Sequence, residues 1–297
     1  MMNYTDRLTL LMQDVVSRVP ALSFIDMNDV LVFARAGRSN AEGAFATCHC
    51  LSLPPSEPGY YFWRDRTTHT LTRRSEWFVT KSPAVAVHGR PIKYMVSFAL
   101  PRFCDQSLDR SRKEKWYPGA EPWIAKLDTV VHELYHIDPE LSGIRRIEKG
   151  DGTYLANCHG TQFLEAVAAM VQTYLKSHPS PAVYDFLRDD FAALQARHGS
   201  VSGTSFRMFP SFPQRYIERL DVQPPYEQTA EGVKVEPLRI AQQPALYTQD
   251  DLHVRQFGKD GSRRLLWTRA LRSEAPGAEI TRRPVARAEL LDAHDAG

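Results

Sequence analysis

The run Val131-His132-Glu133-Leu134-Tyr135-His136 decides how this chain is read, because H-E-x-x-H on a helix sets two imidazoles one turn apart with a carboxylate beside them. At about 100° per residue, Trp123, Leu127, Val130, Val131 and Leu134 gather on one side of such a helix. His132 and His136 fall together on the other. Pro122 suits a first helical turn and Pro139 pushes Asp138 out of helical angles, so the spacing predicts a helix from about Pro122 to Ile137. Its flanks, Thr129, Val130, Val131, Leu134 and Ile137, are apolar or uncharged, which is unlike a solvated face and favours a metal-binding helix.

A catalytic zinc site takes three protein ligands and keeps a fourth position open. The candidate third ligand is His159, in Cys158-His159-Gly160-Thr161-Gln162-Phe163, 23 residues after His136. That segment opens a second helix whose stripe is Phe163, Val167, Met170 and Tyr174, and helical spacing puts His159 near the same stripe. Glu165 is the rival, about 120° round the helix from His159. His159 is the preferred assignment, with one Zn²⁺ expected per chain.

Val131 to His136 followed by His159-Gly160-Thr161-Gln162-Phe163 resembles the short zincins of the SprT/Spartan type, whose third ligand begins an H-G-x-x-F/W segment. His136-Ile137-Asp138-Pro139-Glu140-Leu141-Ser142-Gly143 with Arg145-Arg146 looks closer still to the putative phage metallopeptidase family. The resemblance spans about residues 85 to 176. It implies a minimal zincin-like domain with His132, His136 and His159 as zinc ligands and Glu133 as general base, and it implies no particular substrate. No C-x-x-C pair of zinc-ribbon type follows the site, a departure from the DNA-repair members of the group.

In such a centre the ion acidifies a water from pKa 15.7 toward about 7, and Glu133 would take its proton and pass it to the leaving amine. Charge on the tetrahedral oxygen calls for a further donor. Tyr154, Arg145 and Arg146 lie between the ligand motifs; Tyr154 and Arg145 are carried forward as catalytic candidates.

Composition fits an intracellular enzyme. With 43% hydrophobic residues, 37 basic against 35 acidic side chains and a net charge of +2, the chain has an ordinary globular make-up and no overall polyanion-binding signature. The N-terminal Met1-Met2-Asn3-Tyr4-Thr5-Asp6-Arg7 lacks signal-peptide order, and no apolar run reaches the ~20 residues of a membrane span, so a cytoplasmic location is expected. Four cysteines, at 48, 50, 104 and 158, are too scattered for a disulfide framework. Cys48-His49-Cys50, with Cys104, is a weak candidate for a second metal site, and Cys158 reads as a small buried residue.

Outward from the motif, Tyr4 to Val19 reads as an amphipathic helix carrying Leu8, Leu11, Met12 and Val15, stopped by Pro20. Val30 to Arg35, Ala44 to Leu53, Gly59 to Arg66 and Leu71 to Thr80 read as strands of a small antiparallel sheet. Ile92, Tyr94, Val96, Phe98 and Leu100 alternate with Lys93, Met95, Ser97 and Ala99, the clearest strand of all. It is expected beside the cleft, where an extended substrate could add to its open edge. The basic stretch Asp109 to Tyr117, with Trp116 and Tyr117, reads as a solvated loop in preference to a nucleic-acid contact. After a break over Ser177 to Pro181, Ala182 to Arg197 reads as one helix capped by Gly199. Leu252 to Phe257 and Arg263 to Trp267 read as a hairpin around Gly258-Lys259-Asp260-Gly261.

Strands first and helices after imply an α+β fold: a zincin-like domain over 1–178, an accessory C-terminal region over 179–275 with a helix and a hairpin, and a mobile tail over 276–297. The expected activity is zinc-dependent hydrolysis of a protein or peptide substrate, with no membrane partner. Two other readings stay open: a non-catalytic metal-stabilised binding protein of phage origin, and a DNA-associated SprT-like protease.

Overall fold

The alternation over Ile92 to Leu100 forms the strand on which the site is built. A computed structural model describes residues 1–51, 60–64, 71–81, 84–111, 113–141, 143–145, 159–206, 216–219, 234–235 and 246–268. In chain order they comprise β1 (Met2–Asn3), α1 (Tyr4–Arg18), β2 (Val30–Gly37), β3 (Ala46–Cys50), β4 (Tyr60–Arg64), β5 (Leu71–Lys81), β6 (Ala84–Val87), β7 (Arg90–Pro91) and β8 (Tyr94–Pro101). Helices α2 (Ile124–Tyr135), α3 (Thr161–Lys176), α4 (Pro181–Tyr184) and α5 (Phe191–His198) follow. Then come β9 (Val201–Phe206), β10 (Tyr216–Arg219), β11 (Lys234–Val235), β12 (Leu246–Thr248), β13 (Leu252–Phe257) and β14 (Arg263–Thr268). Five helices and several small sheets make the described chain α+β, the class expected.

The sheet beside α2 has the order β2-β8-β3. β2 runs parallel to β8 from Val30↔Tyr94 to Gly37↔Pro101, and β3 runs antiparallel to it from Ala46↔Phe98 to Cys50↔Tyr94. This sheet is therefore mixed, not antiparallel, and β8 has neither edge open. The side chains explain why. Val32, Ala34, Tyr94, Val96, Phe98 and Leu100 join the main core, while Leu31, Phe33 and Met95 pack with Phe206 and Leu252 on the opposite face. Every residue of β8 is buried, and a strand apolar on both faces belongs inside a sheet. The edge position near α2 falls to β3, whose outer side pairs with no strand among the described residues.

A second sheet joins the two ends of the described chain in the order β1-β9-β13-β14. β9, in the Pro-containing stretch for which no strand was expected, pairs parallel with β1 and antiparallel with β13. The hairpin of β13 and β14 forms as expected, with a left-handed turn residue at Gly261 (φ +85°). Val201 and Phe257 share the main core with Leu8, Met12 and Val130. The boundary expected near residue 178 follows α3, and the strands on its two sides pair with each other.

Helix α1 has nearly the expected limits. The single helix expected over Ala182 to Arg197 is instead broken into α4, a 3₁₀ turn over Asp185–Leu187, and α5. Asp190 causes the restart: its carboxylate caps α5 by accepting from Ala193 N at 2.7 Å, while Phe191 N donates to Asp105 Oδ1 at 2.9 Å. Gly199 ends α5 at φ +76°, where its missing Cβ removes the steric penalty. The tail over 276–297, Arg146, Tyr154 and Cys158 lie outside the described residues. Among the described residues no helix is long and apolar enough to cross a membrane.

Candidate metal centre

Helix α2 forms where the periodicity placed it, two residues shorter at each end, with Trp123 before it and His136 at its C-cap. Its apolar stripe is buried as expected: Leu127, Val130, Val131 and Leu134 are all fully enclosed. The other sides are covered too. Lys126, Asp128, Thr129, Glu133 and His136 are buried polar groups, and such groups are costly unless each finds a partner. Lys113 supplies one set, its Nζ lying 2.5 Å from Asp128 Oδ1 and donating to Thr129 Oγ1 at 2.7 Å. Tyr117 OH donates to Asp128 Oδ2 at 2.6 Å, and Thr129 Oγ1 to Gln106 Oε1 at 3.0 Å. Lys126 Nζ donates to the Asp189 carbonyl at 2.7 Å. The stretch Asp109 to Tyr117, expected to be solvated, thus lends Lys113 and Tyr117 to the helix that carries the histidines.

The three candidate histidines converge. His136 Nε2 lies 3.1 Å from His132 Nε2 and 3.0 Å from His159 Nε2, and the ligand atoms of the three residues all lie within 4.8 Å of one another. His159 immediately precedes α3, and Phe163, one turn into that helix, floors the cluster. Its ring centroid is 5.0 Å from His132, 4.8 Å from His136 and 5.6 Å from His159. Phe163 stands on the buried stripe with Val167, Met170 and Tyr174, so the packing of α3 against α2 brings the third histidine to the first two.

The nitrogen chemistry fits a cation. Burial, then the neighbouring His136, Lys113 and His159, lower the His132 pKa to about 2 in the metal-free chain. Burial with His159 and Arg145 lowers that of His136 to about 4, and burial lowers that of His159. Neutral imidazoles each offer one lone pair. Among the described residues Nδ1 of His132 and of His136 is buried without a hydrogen-bond partner, so no tautomer satisfies both rings through contacts with those residues. A cation where the Nε2 lone pairs meet removes their mutual repulsion. Tetrahedral zinc bonds of about 2.0–2.1 Å set ligand nitrogens about 3.3 Å apart, close to the spacing here.

Glu133, next to His132 in the chain, is turned toward β3 and only 5% exposed. Leu51 N donates to Lys93 O and Ala99 N to Phe45 O, so the backbone groups of odd-numbered residues of β3 face β8. Those of Ala46, Cys48 and Cys50 point outward. The Cys48 N–H donates to the Glu133 carboxylate. Burial raises the Glu133 pKa to about 7, against the pull of that hydrogen bond and of the Lys113 and Arg35 charges.

The remaining candidates separate. Glu165 is exposed on α3 and takes no part in the cluster. Arg145, weighed as an oxyanion donor, directs Nε to Tyr135 O at 2.7 Å and Nη2 to Ile137 O at 3.3 Å, so its guanidinium serves the end of α2. Tyr154 lies outside the described residues. Cys48, Cys50 and Cys104 form no disulfide with one another; Cys104 is enclosed in the core, where burial raises its pKa to about 12. Among the described residues the three histidines form the one group able to hold a metal ion. Lys113 and the Cys48 N–H escaped the sequence reading, since each reaches α2 through a tertiary contact that no local spacing records. Comparison with protein-family models, with curated proteins and with solved structures gives no match.

Proposed function

We propose that the protein is a zinc-dependent hydrolase, a metallopeptidase with His132, His136 and His159 as metal ligands and Glu133 as general base. The observation that carries this reading is the buried carboxylate of Glu133 on the same helix that supplies two of three convergent imidazoles. A purely structural metal site closes its fourth position and has no use for such a group. Zinc bound by the three histidines would supply Lewis acidity, polarising a carbonyl and acidifying a water.

Glu133 then does the proton work. Burial strengthens the hold of this carboxylate on a proton, which suits it to accept one from the attacking water and return it to a leaving amine. The Cys48 N–H holds that carboxylate in place while it exchanges protons. Phe163 packs against all three histidine rings and closes one side of the cluster. Because β8 is paired on both edges, we place an extended substrate along β3, whose outward backbone groups at Ala46 and Cys50 flank the one already held by Glu133.

Glu133→Gln tests the assignment: the amide keeps its place beside the metal but cannot take the proton. The variant should keep metal and fold and lose peptide hydrolysis by about 10³-fold or more, read by mass spectrometry on a peptide library. Full turnover in Glu133→Gln would remove Glu133 as the base. No metal-dependent cleavage by the parent protein across the library would remove the peptidase reading.

A further inference from the structure

The last turn of a helix leaves carbonyls without intrahelical partners, and His136 occupies that unsupported position at the C-cap of α2. A ligand there would be free to fray. Instead one residue engages three successive carbonyls centred on it: Arg145 Nε donates to Tyr135 O at 2.7 Å, Arg145 backbone N to His136 O at 2.7 Å, and Arg145 Nη2 to Ile137 O at 3.3 Å. The guanidinium carbon also lies 4.2 Å from the centre of the Tyr135 ring, with Phe24 at 5.9 Å.

The loop that delivers Arg145 is itself fixed. Leu141 N donates to Asp138 O at 2.8 Å in a turn with Leu141 at φ +56°, and Ile137 and Ile144 form a β-bridge. Tyr94 OH, from the central strand β8, donates to Gly143 O at 2.7 Å. The sheet therefore holds the loop, the loop holds Arg145, and Arg145 holds the backbone of His136. Few cations are better suited, since a planar guanidinium can reach two carbonyls at once and stack on an aromatic face, whereas an ammonium is a point donor.

We propose that Arg145 is the positioning residue of the metal centre: it acts through His136, fixing where that imidazole stands relative to His132 and His159 and so setting the metal's affinity and coordination geometry. This rests on the three-histidine metal site proposed above. Partners that orient a ligand from outside the coordination sphere typically contribute 10–100-fold to metal affinity.

The test uses Co²⁺ as a visible probe in the full chain, with Arg145→Gln and Arg145→Lys. The parent should bind one Co²⁺ with tetrahedral d–d absorption. Arg145→Gln should bind it at least about tenfold more weakly with shifted bands, and Arg145→Lys should fall between, because it restores charge and one donor but not the two-carbonyl grip. A variant that merely loosened the fold would lower the melting temperature without moving the bands of the metal it still holds. Bands and affinity unchanged in both variants overturn the proposal while leaving the metal site standing. Should Arg145→Gln fail to fold, Arg145→Lys decides alone: parent-like affinity and bands overturn the proposal, and shifted bands uphold it. A parent protein that takes up no Co²⁺ overturns the metal site itself, and the role of Arg145 with it.

Discussion

Helices α1 and α2 show the same kind of apolar stripe in the sequence, yet the protein treats their other sides differently. In α1 the stripe of Leu8, Leu11, Met12 and Val15 is buried, while Asp6, Arg7, Leu10 and Gln13 meet solvent. In α2 Lys126, Asp128, Thr129, Glu133 and His136 are buried as well as the apolar stripe. An amphipathic pattern thus tells which side of a helix faces the core and not what covers the rest. For a surface helix water completes the polar side; for α2 the completion comes from Lys113, Tyr117, Gln106, the Asp189 carbonyl, the Cys48 N–H and Phe163.

Matched substitutions probe this contrast. Asp128→Ala leaves the half-buried Lys113 ammonium without its counter-charge and the buried Tyr117 hydroxyl without its acceptor, and should cost about 3 kcal/mol in urea denaturation. Asp14→Ala on α1 removes an acceptor for Arg18 and Tyr174 at a half-buried site where the Arg18 guanidinium still reaches water, and should cost less, about 1–2 kcal/mol. Equal losses would break the comparison. Phe163→Ala uncovers the histidine side of α2 and should cost about 3 kcal/mol, with weaker metal retention as a second readout.

His49 sharpens the point from the far face of β3. Its ring lies 6.3 Å from that of Phe33 with Nε2 3.2 Å from Ser97 Oγ, and burial together with Arg35 lowers its pKa to about 4. The unfolded chain, with a histidine pKa near 6.5, binds a proton the folded chain refuses, so stability falls as pH drops from about 6.5 to about 4. The difference between parent and His49→Gln, in which the other histidines cancel, should be on the order of 2 kcal/mol across that window. A flat difference would mean His49 is hydrated. The smallest effect belongs to Leu10→Ser on the open side of α1, which should change stability by no more than about 0.5 kcal/mol.

The pair His132 and His136, with Glu133 between them, was legible because its geometry is local: four residues along a helix fix the relation of two rings. His159 was legible through the stripe it shares with Phe163, and the hairpin of β13 and β14 through its glycine turn. The parallel pairing of β2 with β8 was not, since nothing in either strand records its direction relative to a partner over 60 residues away. Lys113 looked like one more charge in a solvated run, and its pairing with Asp128 exists only because the loop folds back on α2. Arg145 was singled out for its place between the ligand motifs, but its hold on Tyr135 and Ile137 depends on a backbone turn that residue type alone does not specify.

The most direct measurement is the metal content of purified parent protein beside His159→Ala and Glu165→Ala, by elemental analysis after dialysis against metal-free buffer. One zinc per chain is expected in the parent and in Glu165→Ala, and a small fraction of one in His159→Ala. A parent without metal, or a His159→Ala protein that keeps its zinc while Glu165→Ala loses it, would contradict the three-histidine centre.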